Sequence, residues 1–148
     1  LLTACPTLPE MIIVMLQKEV AERLSTEAGN RNRGILTVLV ELYGKSQIID
    51  YVSKTQFFPA PKVDSAVLMI SDLKKPDLNT KLFMRMLKFS FAGKRKKIKN
   101  SLFTTLKVDL KLASEIANTA NISLDDRPED LNINQWKSLF SEIENYLS

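Results

Sequence analysis

The sequence predicts an α/β half followed by an all-α half, and three observations lead there. Strand-length apolar runs stand at 11–16 (MIIVML), 47–52 (QIIDYV) and 65–70 (SAVLMI), with helical spacing between the first two. Beyond a polar stretch at 71–76 (SDLKKP), every apolar pattern has a helical period. Positive charge is concentrated at the start of that second half, with twelve Lys or Arg against Asp77 and Asp109 between Lys74 and Lys111. The expected division is an α/β domain over residues 1–73 and a helical domain over residues 74–148.

The run at 11–16 is apolar throughout, as expected of a central strand covered on both faces. It leads into QKEVAERL, where Val20 and Leu24, and Glu19 and Arg23, stand four apart, so a helix follows. A polar loop at 27–34 precedes an apolar helix over 35–43, which ends near Gly44, a residue type favoured just past a helix. The second strand then runs into FFPAPKV. Pro59 and Pro61 fix φ near −65° and push Phe58 and Ala60 towards extended geometry. The run from Ser65 to Ile70 reads as a buried strand. A stiff loop thus holds Phe57 and Phe58 at a sheet edge, as a ligand platform or as a core plug.

In the second half, Leu82, Phe83, Met86, Leu87 and Phe91 share a helix face. Ile98, Leu102 and Leu106 form another such stripe, and Leu112, Ile116 and Ala120 a third. Asn132 with Gln135 three residues on is a capping-box pattern. It opens a last helix carrying Trp136, Leu139, Phe140, Ile143 and Leu147.

Composition excludes several chemistries. The chain of 148 residues has one cysteine, Cys5, and no histidine. It therefore forms no internal disulfide, no Cys/His zinc site and no triad with an imidazole base. The lone cysteine fits a reducing interior and a cytoplasmic protein. No apolar run reaches the roughly 20 residues that span a bilayer. Charge is balanced up to Ser71 and net acidic from Leu112 onward, so the basic block stands alone. Within it Lys94, Arg95, Lys96, Lys97 and Lys99 crowd six positions, with no acid in the same stretch. Phe91, Ile98 and Leu102 mark an apolar face on that segment, which predicts a helix bearing a basic ridge. Such a ridge suits a nucleic-acid backbone, with a merely solvated helix face as the plainer reading.

Four segments carry a resemblance to a known family: MLQKEVAERL, FFPAPKVDSAV, FAGKRKKIKNSL and RPEDLNINQW. In this order they resemble the C-terminal half of the ribosomal RNA small-subunit adenine N6,N6-dimethyltransferases, kin to the erythromycin-resistance methylases. The resemblance implies the C-terminal part of a Rossmann-like S-adenosylmethionine-dependent methyltransferase sheet, followed by a small all-α domain that binds rRNA. It implies dimethylation of adjacent adenines near the 3′ end of small-subunit rRNA, with S-adenosylmethionine as cofactor, the small ribosomal subunit as partner and no metal. The family's post-strand aromatic aligns with Phe57, which would stack on the target adenine. Phe58 replaces a residue that is usually small or polar, and no role follows for it. Lys62 and Asp64 are expected to fix the loop. Transfer to the amine needs no proton base, so the lack of histidine is harmless.

The family's glycine-rich cofactor loop, ribose-binding acid and Asn-Leu-Pro-Tyr element do not occur in the sequence and would lie upstream of Leu1. The expectation is a fragment that does not turn over alone, and that is poorly soluble or dimerises through residues 11–16. The alternative is a non-catalytic RNA-binding or ribosome-assembly module.

Overall fold

Strand β1 (Ile12–Gln17) runs into helix α1 (Lys18–Leu24), and α2 (Ile35–Tyr43) precedes β2 (Lys45–Val52) and β3 (Ser65–Ser71). Helices α3 (Thr80–Ser90), α4 (Thr104–Leu106), α5 (Leu110–Thr119) and α6 (Ile133–Leu147) follow. The computed structural model describes residues 7–93 and 95–147. The chain divides into two units: one holds the part up to Thr26 with Leu36–Pro76, the other Glu27–Ile35 with the part from Asp77 onward.

In the first unit the three strands lie in the order β1-β3-β2, with both pairings antiparallel. Val14 and Ile48 both register with Leu68. Because side chains alternate across a strand, Ile12, Val14 and Leu16 share one face with Ala66, Leu68 and Ile70. Ala21 of α1 and Val40 of α2 close over that face. The central strand is therefore β3, and the expectation for residues 11–16 is corrected. β1 flanks β3 and is covered on one face only, with Ile13 60% and Met15 51% exposed. β3 likewise alternates between buried and half-buried residues rather than being buried throughout. A continuous apolar run carries no period that separates one covered face from two.

Gly44 ends α2 for a reason of space. A Cβ there would collide with the Ser71 carbonyl oxygen. The adjoining Lys74 N–H donates to the Tyr43 carbonyl at 2.8 Å, which ties the end of β3 to the end of α2.

In the second unit α6 packs against α3 and α5. Trp136, Leu139, Phe140, Ile143 and Leu147 are all buried, as their spacing predicts. The expected capping box forms: Gln135 N–H donates to Asn132 Oδ1 and Asn132 N–H to Gln135 Oε1, both at 3.0 Å. Asn79 and Asp109 cap α3 and α5 by a single side-chain bond each, accepting from the N–H groups of Leu82 and Leu112. Phe83 meets Phe140 edge-on at 5.4 Å, and Phe91 stacks on Trp136 at 5.9 Å. Segment Glu27–Ile35 joins this unit through Gly29, whose N–H donates to the Glu129 carbonyl at 2.9 Å from a φ of +88°. Arg33 is buried there and donates to the Leu131 carbonyl.

The basic segment departs from its expected helix. α3 ends at Ser90, the chain turns, and helical geometry resumes at Ile98 in a π-helical turn (Lys99–Phe103) that runs into α4. Gly93 and a left-handed Arg95 (φ +71°) interrupt the ladder between them. The apolar anchors survive the break, with Ile98 and Leu102 fully buried. Among the described residues no helix is long and apolar enough to cross a membrane, and no three His, Cys, Asp or Glu group as metal ligands.

Candidate nucleic-acid interface

The aromatic loop spans residues 53–64, between β2 and β3. Ser53 caps its first turn, accepting from Thr55 N–H at 3.3 Å through its hydroxyl and from Gln56 N–H at 3.0 Å through its carbonyl. At the far end Asp64 makes two ties. Its carboxylate accepts from Lys54 N–H at 3.0 Å, and its carbonyl accepts from Lys18 N–H at the start of α1, also at 3.0 Å. Asp64 thereby fixes the loop's two ends to each other and to the sheet unit. Lys62 lies exposed on the loop. Phe57 takes an extended backbone (φ −113°, ψ 148°) and is half-buried. Phe58 is fully exposed at 102%, so it plugs no core in this chain. The Phe58–Pro59 peptide is cis. Beside the loop, Lys18 Nζ lies 5.4 Å from the Tyr51 ring centre.

The five expected ridge cations divide. Lys94 lies outside the described residues. Arg95 and Lys96 are exposed on the turn. Lys97 and Lys99 share one partner, with their Nζ atoms 3.2 and 2.7 Å from Asp125 Oδ1. Both cations hold the Asp125 carboxyl below its ordinary range, Lys99 foremost. The expectation of a ridge without a nearby acid is thus corrected. Backbone bonds bring the acid in: Ile98 N–H donates to the Asp126 carbonyl at 2.8 Å and Lys99 N–H to the Leu124 carbonyl at 3.3 Å. Arg127 Nε reaches the Arg95 carbonyl at 3.4 Å. The signal for Asp125 is present as the acidic run DDRPED, but local sequence does not show which cations it meets. Next to it opens a shallow cleft of about 510 Å³, lined among others by Ser114, Asn118, Asn121, Ser123 and Asp126. The structure thus gathers Lys97, Lys99 and Asp125 in the helical unit, while Phe57 and Phe58 belong to the sheet unit.

A clamped aromatic loop after a strand and a basic turn on a helical unit narrow the kinship, and the sequence itself decides it. Residues 2–145 match the family described as "Ribosomal RNA adenine dimethylase". The chain belongs to that family. Among rRNA adenine dimethylases, it is 39% identical over 136 residues to "Ribosomal RNA small subunit methyltransferase A" of Prochlorococcus marinus (strain NATL1A), covering 88% of this chain and 46% of that protein. The Fusobacterium nucleatum protein of the same name is 37% identical over 135 residues, covering 88% of this chain and 50% of its own. The chain spans about half the length of the curated relatives it matches. Its fold is similar to a dimethyladenosine transferase from Plasmodium falciparum, with a TM-score of 0.77 at 22% identity, covering 98% of this chain and 61% of that one. It is also similar to the 23S rRNA methyltransferase ErmE, with a TM-score of 0.64 at 21% identity, covering 91% and 55%. The resemblance carried by the four motifs is to the family in which the chain belongs.

Proposed function

We propose that this chain serves S-adenosylmethionine-dependent N6,N6-dimethylation of adjacent adenines near the 3′ end of small-subunit rRNA, during ribosome biogenesis in the cytoplasm. It acts as the half of the enzyme that presents a base platform and docks the RNA. The observation that carries this reading is the family match along residues 2–145, which includes both the aromatic loop and the basic turn. In this reading β1 to β3 are the last strands of a Rossmann-like sheet. Support comes from β1 and β2, which run parallel to each other with α1 and α2 between them and β3 inserted antiparallel. The domain over residues 1–73 then belongs to the methyltransferase fold and that over 74–148 to rRNA binding.

The described residues do not themselves fit S-adenosylmethionine. The strand-to-helix junction in the sheet unit, at Gln17 and Lys18, has no glycine and no side-chain cap through which to wrap a cofactor. The junction thus offers no cradle for the methyl donor. What this chain supplies is binding and orientation. Phe57 stacks on the extruded adenine, an interaction worth about 1–3 kcal/mol per base. Arg95, Lys96, Lys97 and Lys99, with Lys94, dock phosphates without reading sequence.

To test this, the chain is joined to an upstream half from a relative and assayed for transfer of labelled methyl groups onto undermethylated small ribosomal subunits. Incorporation that falls strongly in Phe57→Ala is expected. No incorporation by a hybrid that binds cofactor would overturn the enzymatic reading.

A further inference from the structure

We propose that Phe58 is a second stacking platform, which takes the nucleotide adjoining the target adenine in a single-stranded stretch of RNA. This rests on the reading of Phe57 given above. Burying a phenylalanine is worth about 1.5–3 kcal/mol, yet Phe58 is fully exposed. The loop holds it there from both ends. Asp64 ties down Lys54 and Lys18, and the rings of Pro59 and Pro61 restrict the backbone beyond. An aromatic face presented on a stiff support binds at low entropic cost.

The geometry and charge favour nucleic acid as the occupant. Phe57 and Phe58 are adjacent on the loop but differ in setting, Phe57 half-buried and Phe58 fully exposed. Two neighbouring bases present the matching arrangement, one to each ring. Lys54 and Lys62 are exposed on the same loop and can meet the flanking phosphates. The loop's acid, Asp64, is occupied at the base by the Lys54 amide.

The test uses the whole chain and a short adenine-containing RNA single strand, with 2-aminopurine beside the adenine. Wild type, Phe58→Ala, Phe58→Leu and Phe58→Trp are compared, with Phe57→Ala alongside. Phe58→Ala is expected to weaken binding about tenfold or more and to abolish the 2-aminopurine fluorescence change. Phe58→Trp should retain both, and Phe58→Leu should restore neither. As an exposed residue, Phe58 should leave the unfolding midpoint unchanged when substituted. Wild-type affinity in Phe58→Ala, with Phe57→Ala weakened, would overturn the role of Phe58 and leave that of Phe57 standing. Full rescue by Phe58→Leu would also overturn it, in favour of an apolar protein contact. An absence of RNA binding by the wild type would overturn the RNA-docking reading as well.

Discussion

In the aromatic loop, Asp64 and Ser53 secure the backbone from both ends and leave the Phe58 ring fully exposed. In the basic turn at 91–97 the backbone folds through a left-handed residue instead, and anchorage comes from the apolar side chains Phe91 and Ile98 at its ends. The difference fits the two roles proposed above for the loop and the turn. A stacked base needs a ring held in one orientation, because stacking fails if the plane tilts. A phosphate needs only charge within reach, so long lysines on a turn suffice. The acids differ in the same sense: Asp64 bonds backbone amides, whereas Asp125 bonds the cations themselves.

The largest effect should come from removing the turn's anchor. Trp136 is fully buried and carries Phe91 on its face. Trp136→Ala should cost about 3–5 kcal/mol, read as a lower urea midpoint for the helical unit. If the two regions are as independent as their supports suggest, Trp136→Ala leaves amide-exchange protection at Lys54 unchanged. Loss of that protection would break the comparison.

A smaller effect attaches to Asp125. Asp125→Asn should tighten binding to any single-stranded RNA a few-fold, because Lys97 and Lys99 then meet phosphate without competition. The plot of log affinity against log salt should steepen by about 0.7 for each further single-strand phosphate that the freed lysines neutralise. Weaker binding would mean that Asp125 orients the lysines rather than masking them. The pH dependence is smaller still. Asp125 titrates below its ordinary value near 3.8, so the pairing is complete above that pH and is lost as pH falls through the depressed value. Carboxyl chemical shifts should place its midpoint under 3.8 at low salt and nearer to it at high salt.

These particulars also mark what the sequence could disclose. The α6 stripe and its capping box are legible because their interactions lie within one or two turns of chain. So is the Glu19–Arg23 pair of α1, which closes at 3.0 Å. Strand order is not legible, since pairing β3 between β1 and β2 depends on approaches far apart in sequence. Gly44 reads as a helix-end residue, whereas its necessity comes from the Ser71 carbonyl across the unit. The masking of the ridge escapes for the same reason: Asp125 reaches Lys97 and Lys99 only once the chain has folded back. At the candidate site, the position of Phe57 is readable from its proline loop, but the full exposure of Phe58 is not.

The most direct test of the division between base platform and phosphate dock is the salt dependence of RNA affinity for two variants measured side by side. One is Phe57→Ala, and the other carries Arg95→Glu and Lys96→Glu. Phe57→Ala should lower affinity at every salt concentration and leave the slope as in the wild type. The charge-reversed variant should lose affinity mainly at low salt, with a slope shallower by about 0.7 for each single-strand phosphate no longer neutralised. Unchanged affinity in the charge-reversed variant, or a slope change of equal size in Phe57→Ala, would contradict the division.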